Sequence, residues 1–252
     1  MLYLIGIGLH DEKDITVKGL EAVKKSDEVY LEIYTSTLQV PVEKLEEFYG
    51  KKIIRATRTL IEQDSNRLLE KAKNQNIALL VIGDPFSATT HIDLILRAKE
   101  KKVDVEVIHN ASVLNAISIT GLQLYKFGKT TSIPFEEGNY QPETPYDVLK
   151  DNLGLGYHTL LLLDLKPQEE KYMTISEALR YLLKIELKRN EKIFTENSNV
   201  IGIARLGSKK PLIAYGKARE IIRINFGAPP YCIIVPGKLH FMEEEFLQQY
   251  KI

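Results

Sequence analysis

Short apolar runs recur at residues 2–7, 28–33, 77–82 and 105–108, and their spacing is what most restricts the folds open to this chain. Each is bounded by turn or charge signals, the pattern of strands buried on both faces of a parallel sheet. Helical patterns lie between them. Residues 15–23 follow Asp14, which is expected to cap them. Residues 60–72 are amphipathic, and residues 92–98 follow the capping-box-like Thr90-His91-Ile92-Asp93. This alternation predicts an open, mostly parallel sheet with helices on both faces. Ligands of such sheets gather at the carboxyl ends of strands, near a reversal of strand order. The loops that directly follow strands are therefore the ones to read for chemistry.

The second half of the sequence changes rhythm after the Gly- and Pro-rich stretch IPFEEGNYQPETPYD. Thr144 and Pro145 read as N-cap and first residue of a helix. Residues 159–165 form a buried strand. The Thr174–Glu177 pair of TISE is a capping box opening a helix to about Leu187. VIGIARLGSKKPLIAYG reads as an antiparallel hairpin, CIIV as a further strand, and MEEEFLQQY as a helical tail. The expectation is a two-domain α/β protein. Residues 1–120 would carry a mostly parallel sheet, residues 121–252 a mixed sheet, and a ligand cleft would lie between them.

With 252 residues and 44% apolar content the chain can build such cores. Lys plus Arg and Asp plus Glu both total 34, so no basic surplus points to nucleic acid or an anionic membrane. The single cysteine, Cys232, rules out an internal disulfide framework and any cysteine-based metal cluster, which suits a reducing cytosol. Lying in PYCIIVPG, it reads as a buried structural thiol. No run approaches the roughly 20 apolar residues of a membrane span, and no secretory signal is apparent. The expectation is a cytoplasmic protein.

In LIGIGLHD, Gly6 and Gly8 resemble part of a dinucleotide-binding turn, but Asp11 stands where the third glycine of G-x-G-x-x-G belongs. Glu32, at a strand end, would suit a ribose hydroxyl. A tight turn, or close approach of backbone to another ligand, explains the two glycines as well. In IGDPFSATTH, Asp84 either braces the turn or receives a ligand's hydrogen bonds or positive charge. Thr89 and Thr90 read as caps, and His91 as a helix-surface or core histidine. In HNASVLNA, Ser112 opens a helix, either as its cap or at an amide cluster that meets an electronegative group. Tyr125 and Lys126 read as solvated linker. The five histidines show no metal-ligand spacing, and there is neither a G-x-S-x-G elbow nor a P-loop. Group transfer suits such loops, because the reactants then supply nucleophile and electrophile.

Taken together, GIGLHDEKDITVKGLEAV, EIYTS, GDPFSATTH, the YKFGK of residues 125–129, HTLLLLDLK, ARLGS and VPGKLH resemble the diphthine synthase family, in order and across essentially the whole chain. That family lies in the tetrapyrrole-methylase-like class of S-adenosylmethionine-dependent methyltransferases. The resemblance implies a folded S-adenosylmethionine in the cleft, S-adenosylhomocysteine as product, and a homodimer. It implies as substrate translation elongation factor 2 carrying a 2-(3-amino-3-carboxypropyl) group on one histidine. Archaeal-type members trimethylate the amino nitrogen, and eukaryotic relatives add a methyl ester. The short chain looks archaeal in type.

By motif match the cofactor contacts fall on Leu9, Asp84, Ser87, Ser112 and Val113, and on Leu163, Ala204 and Tyr231. Some relatives carry an aliphatic residue at Ser87, which points to a backbone contact, and many carry histidine at Tyr231. Leu163 and Ala204 also read as ordinary core. The resemblance names no catalytic residue, no metal, and neither nucleic acid nor membrane as partner. A tetrapyrrole or corrin methylase is the second reading, and a non-catalytic nucleotide-binding or assembly protein a third.

Overall fold

The computed structural model describes residues 1–89, 91–136, 138 and 141–252, and the statements below concern those residues. The chain divides into two compact units, Met1–Ala116 with Lys166–Glu170, and Ile117–Leu165 with Lys171–Ile252.

In the first unit the order is β1 (Leu2–Gly6), α1 (Val17–Lys25), β2 (Glu28–Glu32), α2 (Val42–Tyr49), β3 (Ile53–Ala56), a π-helical turn (Thr59–Gln63), α3 (Ser65–Ala72), β4 (Ile77–Val81), α4 (Ile92–Glu100), β5 (Val105–Ile108) and the short α5 (Val113–Ala116). The strands pair in parallel in the order β3-β2-β4-β1-β5. Successive strand residues point to opposite faces, and both faces are apolar here. Ile5, Val29 and Leu31 pack with Ala22 and Val23 of α1 and Leu45 and Tyr49 of α2. Leu2, Leu4, Leu79 and Val81 pack with Leu68 and Leu69 of α3 and Leu94 and Ala98 of α4. Every residue of β4 is fully buried, and trimming one such leucine to alanine costs about 2–5 kcal/mol. Neighbours β1 and β4 send their connections in opposite directions, α1 towards β2 and α4 towards β5. Their carboxyl ends form the reversal where ligands of open α/β sheets gather.

The second unit opens with 3₁₀ turns at Ile117–Thr120 and Leu124–Lys126. It continues through β6 (Thr131–Ile133), α6 (Thr144–Gly154), β7 (Thr159–Leu163), β8 (Leu165–Lys166, its last residue assigned to the first unit), β9 (Lys171–Tyr172), α7 (Ile175–Arg189), β10 (Asn199–Ala204), β11 (Leu212–Lys217), α8 (Ala218–Ile221), β12 (Tyr231–Val235) and α9 (Phe241–Leu247). Its main sheet runs β11-β10-β12-β7-β6, with β6 and β7 parallel and the other pairs antiparallel. Tyr146, Leu161, Leu179, Leu182, Phe194, Val200 and Ile233 fill its core. Thr174 and Glu177 form the expected capping box at the start of α7, and residues 199–217 form the expected hairpin.

Several local expectations give way. Thr16, not Asp14, caps α1, because the Asp14 carboxylate already accepts the Leu9 and His10 N–H groups at 3.1 and 2.8 Å. The helical pattern of residues 60–72 is broken at Asp64, where the π-helical turn ends. Glu143 rather than Thr144 stands at the N-cap of α6, so Pro145 falls one residue further in. β7 stops at Leu163, where Asp164 turns its carboxylate to the Phe135 and Leu165 N–H groups. The expected caps at Thr89 and Thr90 fail differently: the Thr89 hydroxyl reaches the Pro85 carbonyl, and Thr90 lies outside the described residues. No described helix is long and apolar enough to cross a membrane.

Candidate functional site

The loops after β1, β4 and β5 are laced together. Gly8 N–H donates to the Gly83 carbonyl at 3.3 Å, and Gly83 N–H returns to the Gly8 carbonyl at 2.7 Å. The Asn110 side-chain amide donates to the Gly6 and Asp14 carbonyls, both at 2.9 Å. A methyl group on Gly6 would lie 2.6 Å from the Gly83 oxygen, and one on Gly8 2.4 Å from the Asp14 Cβ. The two glycines are needed because the chain's own loops close over them. Gly83 differs: with φ at +83° it adopts a conformation open to glycine, yet a Cβ there would meet nothing nearer than 3.9 Å.

Asp84 sits at the centre of this lacework and is 7% exposed. Its Oδ1 accepts the Phe86 N–H at 2.9 Å and, more weakly, the Ser87 hydroxyl at 3.4 Å. Its Oδ2 lies 2.7 Å from His109 Nδ1 and accepts the Asn110 N–H at 3.2 Å. Burial alone would raise its pKa, but the Phe86, His109 and Asn110 donors outweigh it and hold the carboxyl below the usual range. The carboxylate thus braces two loops.

Around it lie the other four candidates of this unit. Leu9 is half-buried with its N–H on Asp14. Ser87 N–H closes a turn on the Asp84 carbonyl at 3.2 Å. Ser112 is buried, and its hydroxyl caps the next helix by accepting the Leu114 N–H at 3.2 Å. Val113 is the first residue of that helix. Four of the five therefore stand on loops at the carboxyl ends of strands of one sheet, and Val113 opens the helix that follows the last of these loops.

The candidates of the second unit form a row of their own. Ala204 ends β10 directly opposite Tyr231, which begins β12. Cys232 is registered with Leu162, so Leu163 falls beside Tyr231 one step along. Ala204 is fully buried and Leu163 is 8% exposed, while Tyr231 is half-buried with its hydroxyl on the Gly227 carbonyl. Burial pushes the Cys232 thiol up to about 12 and leaves it inert.

Other residues singled out in the sequence have structural partners. Glu32 turns back on its own loop, accepting the Tyr34 and Thr35 N–H groups at 2.9 and 2.7 Å and the Thr35 hydroxyl at 2.5 Å. A ribose would find it occupied. His91 is buried with Nδ1 3.1 Å from the Pro85 carbonyl. Lys126 is no solvated linker: it pairs with the buried Glu243 and donates to the Lys238 carbonyl at 2.8 Å. Glu243 also accepts from Gln123 N–H, His240 N–H and His158 Nε2, which draws YKFGK, HTLLLLDLK and PGKLH into one cluster. Gly237 N–H donates to His158 Nδ1 at 3.0 Å, so the proton sits on Nε2 and the ring is neutral. Tyr125 is exposed.

Sequence reading missed His109 and Asn110. The signal was their place immediately after β5, beside the serine it did select. Among the described residues no group of three or more His, Cys, Asp or Glu could hold a metal.

Residues 1–222 match the family of Tetrapyrrole (Corrin/Porphyrin) Methylases. The chain is 51% identical over 249 residues to a diphthine synthase of Methanococcus maripaludis, covering 98% of each. It is 44% identical over 272 residues to an Arabidopsis thaliana protein named "Probable diphthine methyl ester synthase", covering 100% of this chain and 98% of that one. A solved diphthine synthase structure superimposes with a TM-score of 0.91 at 40% identity, covering 99% of this chain and 95% of that one.

Proposed function

The chain belongs to the diphthine synthase family of tetrapyrrole methylases, and from that premise we propose that it methylates the amino nitrogen of the 2-(3-amino-3-carboxypropyl)histidine of translation elongation factor 2. It is a methyltransferase, and members of its family use S-adenosylmethionine. The observation that carries the substrate reading is the 51% identity to a diphthine synthase, which runs through both compact units rather than one.

The residues present fit the cofactor. A neutral adenine and a methionyl chain call for apolar walls and backbone groups. Of the eight candidates only Asp84 is charged. Gly83, with room above its Cα and φ at +83°, leaves the backbone after β4 open to close approach. When bound, S-adenosylmethionine supplies the sulfonium methyl group that the amine accepts. In this reading Leu9, Ser87, Ser112 and Val113, with the loop that Asp84 braces, hold it on the first unit. The second unit's own candidates are Leu163, Ala204 and Tyr231.

We favour trimethylation without esterification, since the archaeal relative is more similar than the plant one. The protein acts as a cytoplasmic homodimer in this account. A second reading, methylation of a tetrapyrrole, has the family match alone behind it. Calorimetry tests the cofactor half: S-adenosylmethionine should bind, and NAD should not. Binding of NAD in preference would overturn it.

A further inference from the structure

We propose that His109 is the base that takes protons from the substrate's amino nitrogen, with Asp84 orienting its ring. The inference rests on the function proposed above. A protonated amine has no lone pair with which to accept a methyl group, and each transfer to a neutral amine leaves the nitrogen carrying a proton. Repeated methylation on one nitrogen therefore needs an acceptor at the site after each of the first two transfers.

His109 follows β5 directly, on the sheet edge that carries Leu9, Asp84 and Ser112. Its Nδ1 lies 2.7 Å from Asp84 Oδ2. An ionised carboxylate only accepts, so Nδ1 carries the proton, and Nε2 of the neutral ring offers its lone pair. Asp84 is itself fixed by the Phe86 and Asn110 N–H groups, and the Phe86 ring meets the imidazole edge to face at 5.9 Å. The imidazole is thus held on one side while 67% of the side chain remains exposed. A carboxylate that orients an imidazole and stabilises its protonated form is a recurrent arrangement for proton transfer.

His91, which follows Asp84 in the same loop, is 1% exposed and cannot meet a protein substrate. Asp84, from the loop after β4, is the charged side chain that faces His109; Phe86 and the Asn110 backbone are neutral. In the step itself the ammonium N–H bond breaks, its electron pair stays on nitrogen, and the proton joins the Nε2 lone pair. The resulting imidazolium, facing Asp84, passes its proton to water from its exposed edge.

His109→Asn separates this role from bracing, because the Asn Nδ2 can stand in for Nδ1 and still donate to Asp84. We expect H109N to keep the melting temperature and calorimetric affinity for S-adenosylmethionine of the wild type. Its kcat on elongation factor 2 carrying the precursor side chain should fall about 100-fold, with KM little changed. The deficit should shrink as pH rises and solvent deprotonates the amine unaided. An H109N enzyme with wild-type kcat and pH profile would overturn the assignment. So would a loss matched by an equal loss of cofactor affinity, which marks a brace alone. A wild-type enzyme that binds S-adenosylmethionine but leaves this substrate untouched would overturn the substrate reading, and the base with it.

Discussion

Gly8 and Gly83 exchange backbone hydrogen bonds across the reversal of the first sheet, each donating to the other's carbonyl. The two positions are not equivalent. Gly8→Ala adds strain at φ +77° and a clash with the Asp14 Cβ, whereas Gly83→Ala adds strain at φ +83° in open space. Strain of this kind costs on the order of 1–3 kcal/mol, and the clash adds to it. G8A should therefore melt well below G83A by calorimetry, while G83A should lose more affinity for S-adenosylmethionine than stability. Equal melting temperatures would contradict the packing described here.

Asp84 is expected to matter first to the fold. Removing a buried carboxylate that holds several donors costs about 2 kcal/mol, or about 4–8 °C in melting temperature for a chain of this size. Asp84→Asn should be nearly as damaging as Asp84→Ala. All of the carboxylate's partners are donors, and an amide would turn its own N–H groups towards some of them. A D84N protein as stable as wild type would show that the brace contributes little.

Acid should destabilise the protein in two stages. His158 is buried and neutral, and burial holds it below its ordinary 6.5 despite Glu243. The unfolded chain binds that proton first, so stability falls as pH drops below about 6.5. Protonation of Glu243 lowers stability further: burial alone would raise its pKa, but Gln123, Lys126, His240 and His158 bring it down to about 2. Its contribution is complete above the ordinary 4.5 and is lost as pH falls from there towards 2. Glu243→Gln should cost about 3 kcal/mol at neutral pH and flatten the lower stage. Denaturant melts at several pH values would show this, and an unchanged acid profile in E243Q would refute it.

Much of the fold was legible, and the failures have local causes. Each of the four strands expected in the first half is present, as is the TISE capping box, because in both cases short-range pattern and tertiary role agree. β3 escaped because it is a short edge strand whose inner residues, Ile54 and Arg55, are exposed, so it shows neither an apolar run nor alternation. α2 escaped because its start at Pro41 makes no side-chain cap bond. Asp14 misled because an aspartate before a helical run serves equally well to bind loop amides. At the candidate site the loops were legible and the partners were not. Nothing in GDPFSATTH alone says that Asp84 will meet His109, since that contact spans 25 residues and depends on the order of β4, β1 and β5 in the sheet.

Cys232 offers a check on the second core. A thiol enclosed within β12 and raised to about 12 should not react with a disulfide reagent in the native protein, and should react fully once the chain is unfolded. Reaction in the native state would place that strand nearer the surface than described.

Mass spectrometry of elongation factor 2 bearing the 2-(3-amino-3-carboxypropyl)histidine, incubated with this protein and S-adenosylmethionine, reads the proposed methylation on the substrate itself. Methyl increments should be confined to that histidine and end at the trimethylated product, with none on factor lacking the precursor group. A factor that gains no methyl group, while the same preparation methylates a tetrapyrrole, would contradict it.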